Sequence, residues 1–279
     1  MIGEVNKKFS VLLSLYIKEN PHYLQECFES LLSQTVPATE WVIVEDGPLS
    51  PELYQVLDSY QERYPGLIER VLLKENVGLG LALREGIRHC SYEWVARMDT
   101  DDIARKDRFE KQLDYIEKHP QVDIFGSHIS EFAKNPMNPY GLRKVSLTHE
   151  EIVQYQKTRT AFNHMTVMFK KSSVLKAGNY EHLPLMEDDI LWVRMLLSGA
   201  KAGNMDDILV DVRTGAGMMK RRGGFSYFRK YRAGRKKMLE TGFISKADYY
   251  QTLCVQFVVA LVPSNIRLFI FSKLLRKRI

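Results

Sequence analysis

The stretch best equipped for chemistry is Trp94-Val-Ala-Arg-Met-Asp-Thr-Asp-Asp102, where an apolar run ends in three carboxylates within four positions. Side chains two apart share a strand face, so Asp99 and Asp101 project together from the C-terminal end of a buried strand. Two hard oxygen donors held that close repel each other unless a cation sits between them. Mg²⁺ or Mn²⁺ meets that need, because each binds through a few carboxylates and keeps positions for water or substrate phosphates. In open α/β sheets the ligand crevice lies outside the carboxyl ends of the strands, where this cluster falls. A solvated acidic turn is the competing reading of the same residues.

Strand and helix signals alternate ahead of this cluster. Phe9–Leu15 reads as a buried strand, and Asn20-Pro21 supplies an N-cap with proline at the first helical position. Leu24, Cys27, Phe28, Leu31 and Leu32 then recur at helical spacing. Glu40–Glu45 is a second strand, stopped by the turn Asp46-Gly47-Pro48. A helix over 51–63, a strand at 67–73, the turn Asn76–Gly80, a helix over 81–89 and the strand Glu93–Met98 follow. Such alternation through residue 120 predicts a parallel sheet covered on both faces. After a fifth strand at 122–127 the rhythm breaks, and the Asn-, Pro- and Gly-rich residues 133–146 read as a loop. A short helix near 148–157 and the apolar segment Phe162–Lys170 come next. Met186–Leu197 opens as a helix with Glu187, Asp188 and Asp189 in its first turn, where the macrodipole favours carboxylates.

The 279 residues carry a net charge of +6, unevenly spread. Residues 220–279 hold 15 Lys+Arg against 2 Asp+Glu, which leaves 25 basic and 32 acidic groups in the first 219. An acidic body with a basic tail suits a catalytic domain held on an anionic surface, such as a membrane face. No zinc-finger spacing or RNA-binding signature supports nucleic acid as the polyanion. Cys27, Cys90 and Cys254 are too scattered for a disulfide or metal pattern, which suits a reducing compartment. No signal peptide is visible before the first strand, so a cytoplasmic protein is expected.

Four signatures stand in order: Ser10–Asn20 with Val42–Gly47, Asn76–Gly86, Met98–Asp102, and Glu187-Asp188 followed by Leu191-Trp192. Over roughly residues 8–220 the chain resembles the family 2 glycosyltransferases of GT-A fold, particularly bacterial enzymes that build capsule, exopolysaccharide or lipopolysaccharide O-antigen. The resemblance implies an α/β, Rossmann-like, mostly parallel sheet with helices on both faces, plus a helical basic C-terminal extension. Residues 1–220 would be the catalytic domain, with a nucleotide-sugar half at about 8–130 and an acceptor half at 131–220. Residues 221–279 would be the extension.

The resemblance also implies roles. Asp46 would accept a hydrogen bond from the uracil imide of a nucleotide-sugar, since a carboxylate offers only acceptors; a turn aspartate before Gly47 is the plainer reading. Leu15 and Tyr16 would lie near the base and ribose, although the family more often has Pro-Tyr-Asn there. Asn76 and Gly78 would bring backbone close to the nucleotide, with Arg84 on the following helix, unless those glycines only punctuate a turn. Asp99 would hold ribose and metal, Asp101 would ligate the metal directly, and Asp102 would support the site or cap a helix. Asp188 would be the general base of an inverting transfer, with Glu187 orienting the acceptor or the base and Asp189 facing away. A structural reading makes the same carboxylates ornaments of a helix N-terminus. His164, after Asn163, and Trp192 would line the acceptor cleft. Arg222, with Arg221 beside it, would close over the donor diphosphate. The Gln-x-x-Arg-Trp motif of processive synthases is absent, which favours one sugar per encounter.

The tail mixes aromatics with positive charge over Tyr227–Lys237. Its apolar run Tyr249–Val262 is too short for a membrane span, which needs roughly 20 residues. With Leu268–Ile279 it suits a helix lying in an anionic interface, so peripheral attachment to the cytoplasmic face of a membrane is expected. A helical subdomain packed on the body is the alternative. The expected partners are a nucleotide-sugar, with UDP favoured over dTDP, and a glycan or polyprenyl-diphosphate-linked saccharide. A haloacid-dehalogenase-type phosphatase, with Asp99 as nucleophile, Asp101 as acid/base and the later Glu-Asp-Asp as a magnesium site, is the second reading. It sits poorly with three strand–helix units before the nucleophile. A non-catalytic adaptor would leave Asp46, Asp99, Asp101 and Asp188 without a purpose, and a pyrophosphorylase lacks its Gly-rich N-terminal loop. The identity of the sugar stays open.

Overall fold

A computed structural model of the chain describes residues 8–214 and 223–262. The frame is set by β1 (Phe9–Leu15), β2 (Glu40–Glu45), β3 (Ile68–Leu72) and β4 (Trp94–Arg97), all parallel in the order β3-β2-β1-β4. They are joined by α1 (Pro21–Leu32), α2 (Pro51–Arg63) and α3 (Leu79–His89). Alternation of side chains along each strand explains why helices cover both faces. Val11, Leu13, Trp41 and Ile43 share one core with Leu24, Phe28 and Leu57. Leu12, Val42 and Val44 share the other with Ala82, Leu83 and Ile87 of α3. The helix starts follow local chemistry: the Asn20 side chain accepts from the His22 N–H at 2.9 Å, one residue ahead of Pro21.

Beyond β4 the sheet departs from the mostly parallel expectation. The chain runs on through β5 (Ile103–Ala104), α4 (Arg108–Lys118), β6 (Ile124–Phe132), β7 (Gly141–Arg143), α5 (His149–Gln156), a 3₁₀ turn at His164–Thr166, β8 (Met168–Lys170), α6 (Lys171–Lys176), α7 (Glu187–Leu197) and β9 (Ala202–Arg213). Strand β8 inserts antiparallel between β4 and β6, β9 lies parallel to β6, and β5 and β7 are antiparallel edges on β9 and β6. The nine-stranded sheet is therefore parallel in its first half and mixed in its second. β7 falls inside the stretch read as loop.

The last two described helices, α8 (Gly224–Glu240) and α9 (Lys246–Leu261), form a hairpin seated on α7. Met186, Ile190 and Val193 meet Met238, Ile244 and Tyr249 in a third, small core. Gly234 permits that approach, since a Cβ there would stand 2.4 Å from the Met186 sulfur. Arg235 is buried beside it and donates to Thr252 Oγ1 at 3.1 Å and to the Lys157 carbonyl. Among the described residues no helix is long and apolar enough to cross a membrane. Pro263–Ile279, expected as an interfacial segment, lies outside the described residues.

Candidate active site

Strands β1, β2 and β4 run the same way, so the turns after them border one crevice at the carboxyl edge of the sheet. Asp46 follows β2 and is buried. Its Oδ1 accepts from the Val77 N–H at 2.7 Å, and its Oδ2 from the Gly78 N–H and the Asn76 amide, both at 3.0 Å. The carboxylate thus ties the β2 turn to the Asn76–Gly78 loop, and of its roughly four acceptor positions about one is left for a base N–H. Gly47 makes the tie possible: its φ is +83°, and a Cβ would stand 2.6 Å from the Asn76 nitrogen. Gly78 has open space beside it, whereas Gly80 and Gly86 serve packing. A Cβ at Gly80 would meet the Glu181 carbonyl at 2.3 Å, and one at Gly86 would meet Leu12 at 2.4 Å. Leu15, expected near the base and ribose, turns its side chain away from the crevice. It is wholly buried in the core, and only its backbone, whose carbonyl accepts from the Asp46 N–H at 2.8 Å, borders the crevice. Tyr16 is half-buried next to it, and Arg84 is half-buried on α3.

The acidic turn after β4 rests on a residue that sequence reasoning passed over. Arg97, the last residue of β4, is buried beneath the cluster and ion-pairs with Asp99. Burial opposes its charge, but Asp99 keeps the guanidinium ionised. Asp102 is buried and accepts from the Arg213 backbone N–H at 2.8 Å. Arg213 also donates to the Asp101 carbonyl at 3.1 Å and to Glu26 at 2.6 Å. Asp102 and Arg213 therefore brace the turn, while the Asp99 and Asp101 side chains stay partly exposed. Burial and the charge of Asp99 push Asp101 up to about 6. A divalent cation would relieve that strain, so the donor set fits Mg²⁺ or Mn²⁺. Among the described residues no group of three or more His, Cys, Asp or Glu forms a full cage; a site completed by substrate phosphates needs only such a pair.

Across the crevice stands the first turn of α7. Asp188 has its Oδ2 at 3.9 Å from His164 Nδ1, and His164 Nε2 is 2.9 Å from the Tyr180 hydroxyl. Burial, then the charges of Asp189 and Glu187, push Asp188 well above the usual carboxylate range. Glu187 is raised by burial too, and its Oε2 is buried without a hydrogen-bond partner, as is Arg97 Nε. Unsatisfied buried groups of this kind invite a ligand. Asp189 is held by the Gln156 amide at 2.8 Å. Trp192 corrects an expectation: it is wholly buried, with its ring edge-on to His164 and Tyr180, and supports the cleft from below. Leu185, just before α7, holds a φ of +81°, a strained conformation for leucine at the entrance to a functional turn.

The helix after the Asn76–Gly78 loop and the first turn of α7 meet. Gly80 on α3 lies against Glu187, whose Cβ would be 3.0 Å from an added methyl. The Tyr180 phenol, pushed well above its usual range by burial, feels the charges of Arg97, Asp188, Glu187 and Asp99 together. Arg97 and Tyr180 gave no sequence signal, because an arginine or tyrosine among apolar neighbours looks like any other until its partners are placed. Arg221 and Arg222 lie outside the described residues.

The chain is similar to known proteins over nearly its whole length. Residues 10–175 match the model for Glycosyl transferase family 2. The chain is 39% identical over 269 residues to the amylovoran biosynthesis glycosyltransferase AmsE of Erwinia amylovora, covering 95% of this chain and 98% of that one. It is 36% identical over 270 residues, 97% of each chain, to a UDP-Gal:alpha-D-GlcNAc-diphosphoundecaprenol beta-1,3-galactosyltransferase of Escherichia coli. Among solved structures, a mannosyltransferase of Pyrobaculum calidifontis, in complex with GDP-Man and Mn²⁺, superposes with a TM-score of 0.63 at 15% identity. That match covers 94% of this chain and 72% of the other. Fold and site together define a glycosyltransferase of GT-A architecture. More narrowly, the chain belongs to glycosyl transferase family 2. The phosphatase reading finds no support in either the fold or the relatives.

Proposed function

We propose that the chain transfers one sugar from a UDP-sugar to a hydroxyl of a diphosphate-lipid-linked saccharide, with inversion, in the synthesis of a bacterial surface polysaccharide. The observation that carries this reading is the gathering of Asp99, Glu187, Asp188 and Arg97 around the Tyr180 phenol. The relatives point the same way, since one acts in amylovoran biosynthesis and another uses UDP-Gal and a diphosphoundecaprenol-linked acceptor. In this reading Asp46, Asn76 and Gly78 shape the nucleotide seat, Tyr16 flanks it, and Arg84 faces the diphosphate. Asp99 and Asp101 would hold Mg²⁺ or Mn²⁺, which when bound neutralises charge on the diphosphate. Asp188 takes the proton of the acceptor hydroxyl as that oxygen bonds to the anomeric carbon. The bond from that carbon to the phosphate oxygen breaks on the opposite face, and its electron pair leaves with UDP. Glu187, with a free oxygen, orients the acceptor.

The hairpin would seat the enzyme on the membrane that carries such an acceptor. Tyr250, Val258 and Leu261 of α9 are each at least 60% exposed, beside the basic helix α8. Apolar and cationic side chains on adjoining helices suit an anionic interface.

Asp188→Asn tests the chemistry. Turnover of UDP-galactose with a GlcNAc-diphospho-lipid is expected to fall by about 10²–10⁴, the usual worth of a general base, while UDP binding persists. Undiminished turnover would remove Asp188 from the mechanism.

A further inference from the structure

His164 is placed by backbone chemistry rather than by its own contacts. The Asn163 amide donates to the Ser127 carbonyl at 2.8 Å, and the Thr166 N–H donates to the Asn163 carbonyl at 2.8 Å, which pins the 3₁₀ turn to β6. The imidazole is then confined between Asp188, Tyr180 and Trp192. Burial, with Arg97 nearby, holds it well below the usual histidine range, so the ring is neutral and carries one N–H. In the ionised form that acts as base, Asp188 offers only acceptors to Nδ1. Tyr180, kept protonated by burial, has an O–H to give to Nε2.

We infer that His164 is the positioning residue of Asp188, presenting Nδ1–H to its carboxylate while the Tyr180 hydroxyl, donating to Nε2, fixes that tautomer. The opposite tautomer would face a nitrogen lone pair with a carboxylate and leave the Tyr180 oxygen to accept. At 3.9 Å the His164–Asp188 contact is longer than a hydrogen bond. Contacts of this type tighten when substrates bind. The inference rests on Asp188 as the base. The other charged or titratable groups around Asp188 are Glu187 and Asp189 on its own helix and Tyr180 in the segment before it, with Arg97 close to both Tyr180 and His164. Because Glu187 and Asp189 both oppose the charge of Asp188, a neutral donor that favours the carboxylate has a definite task. The device orients the base and keeps it ionised without taking its proton.

Two measurements test this on the full chain. The first is ¹⁵N imidazole spectroscopy with UDP and Mg²⁺ bound, assigned by the signal lost in His164→Asn. It should show a neutral ring protonated at Nδ1 from pH 5.5 to 8, and a mixture of tautomers in Tyr180→Phe. A ring protonated at Nε2, or a cationic ring, would overturn the inference. The second is the pH profile of kcat for UDP release from UDP-galactose with a GlcNAc-diphospho-lipid. His164→Leu should lower kcat roughly 10- to 100-fold, raise the acidic limb by about one unit and leave the donor KM within about threefold. His164→Asn, whose amide nitrogen replaces Nδ1, should recover about tenfold over His164→Gln, whose nitrogen replaces Nε2. An unmoved acidic limb, or a loss confined to acceptor KM, would overturn it. Should His164→Leu fail to bind UDP, Tyr180→Phe, which deletes one oxygen, decides by the same limb. Full activity of Asp188→Asn would instead sink the base assignment.

Discussion

Asp101 stands where burial and a neighbouring carboxylate both oppose its charge. Its folded-state pKa of about 6 lies above the ordinary value of 3.8. The folded protein therefore takes up a proton as pH falls through about 6, and the destabilisation present at neutral pH fades below it. In metal-free buffer Asp101→Asn is expected to stabilise the protein at pH 7.5 by about 1–3 kcal/mol, and the gain should shrink as pH falls through about 6, to roughly a third near pH 4.5, and vanish below both pKa values. Scanning calorimetry of both proteins in EDTA checks this; a difference that does not change with pH would contradict it. The carboxylates of the site were legible in the sequence because their spacing carries information. Asp99 and Asp101 stand in the turn just past β4 rather than on its face, as close neighbours all the same, and Glu187 to Asp189 open a helix. Arg97 and Tyr180 were illegible, since their roles depend on partners distant along the chain. Trp192 misled for a related reason: a motif residue can sit beside a cluster of carboxylates and still face the core.

At the scale of elements, the parallel half was readable because each strand–helix unit signals itself locally. β1, α1 and α2 run over the residues expected, through buried runs, an Asn-Pro start and a helical apolar stripe. The second half was not readable. Strand β8 has three residues, and its direction is decided by pairing with β4 and β6 rather than by anything within Met168–Lys170. The contact between α3 and α7 was likewise hidden, although its glycine was visible. Gly80→Val would force the Glu181 carbonyl and Glu187 apart from α3. Overpacking of this kind costs about 1–3 kcal/mol. Because it displaces the turn carrying Asp188, turnover should fall by more than the stability loss explains. Thermal melts beside kcat check this, and wild-type kcat in a well-folded variant would count against the coupling.

For the whole molecule, the charge asymmetry was plain from composition, and the docking of the basic helix on α7 was not. Arg235 joins the two parts through Thr252 and Lys157. Arg235→Leu strands those acceptors in a buried layer and is expected to cost about 2–4 kcal/mol, read as a lower denaturant midpoint. An unchanged midpoint would mean that the hairpin is held by its apolar core alone. On the outer face, replacing Tyr250, Val258 and Leu261 together with serine should weaken binding to phosphatidylglycerol vesicles at least tenfold. Turnover of a short-chain, water-soluble acceptor should be unaffected. Equal sedimentation with vesicles would deny α9 a part in membrane docking. The most direct test of the central claim is calorimetric titration of UDP into the intact chain and into Asp101→Ala, each with and without Mn²⁺. The account predicts binding to the wild type that strengthens at least tenfold with Mn²⁺, and no such gain in Asp101→Ala. Binding of equal strength in all four titrations would contradict the assignment of Asp99 and Asp101 as the site of a metal-assisted nucleotide-sugar transfer.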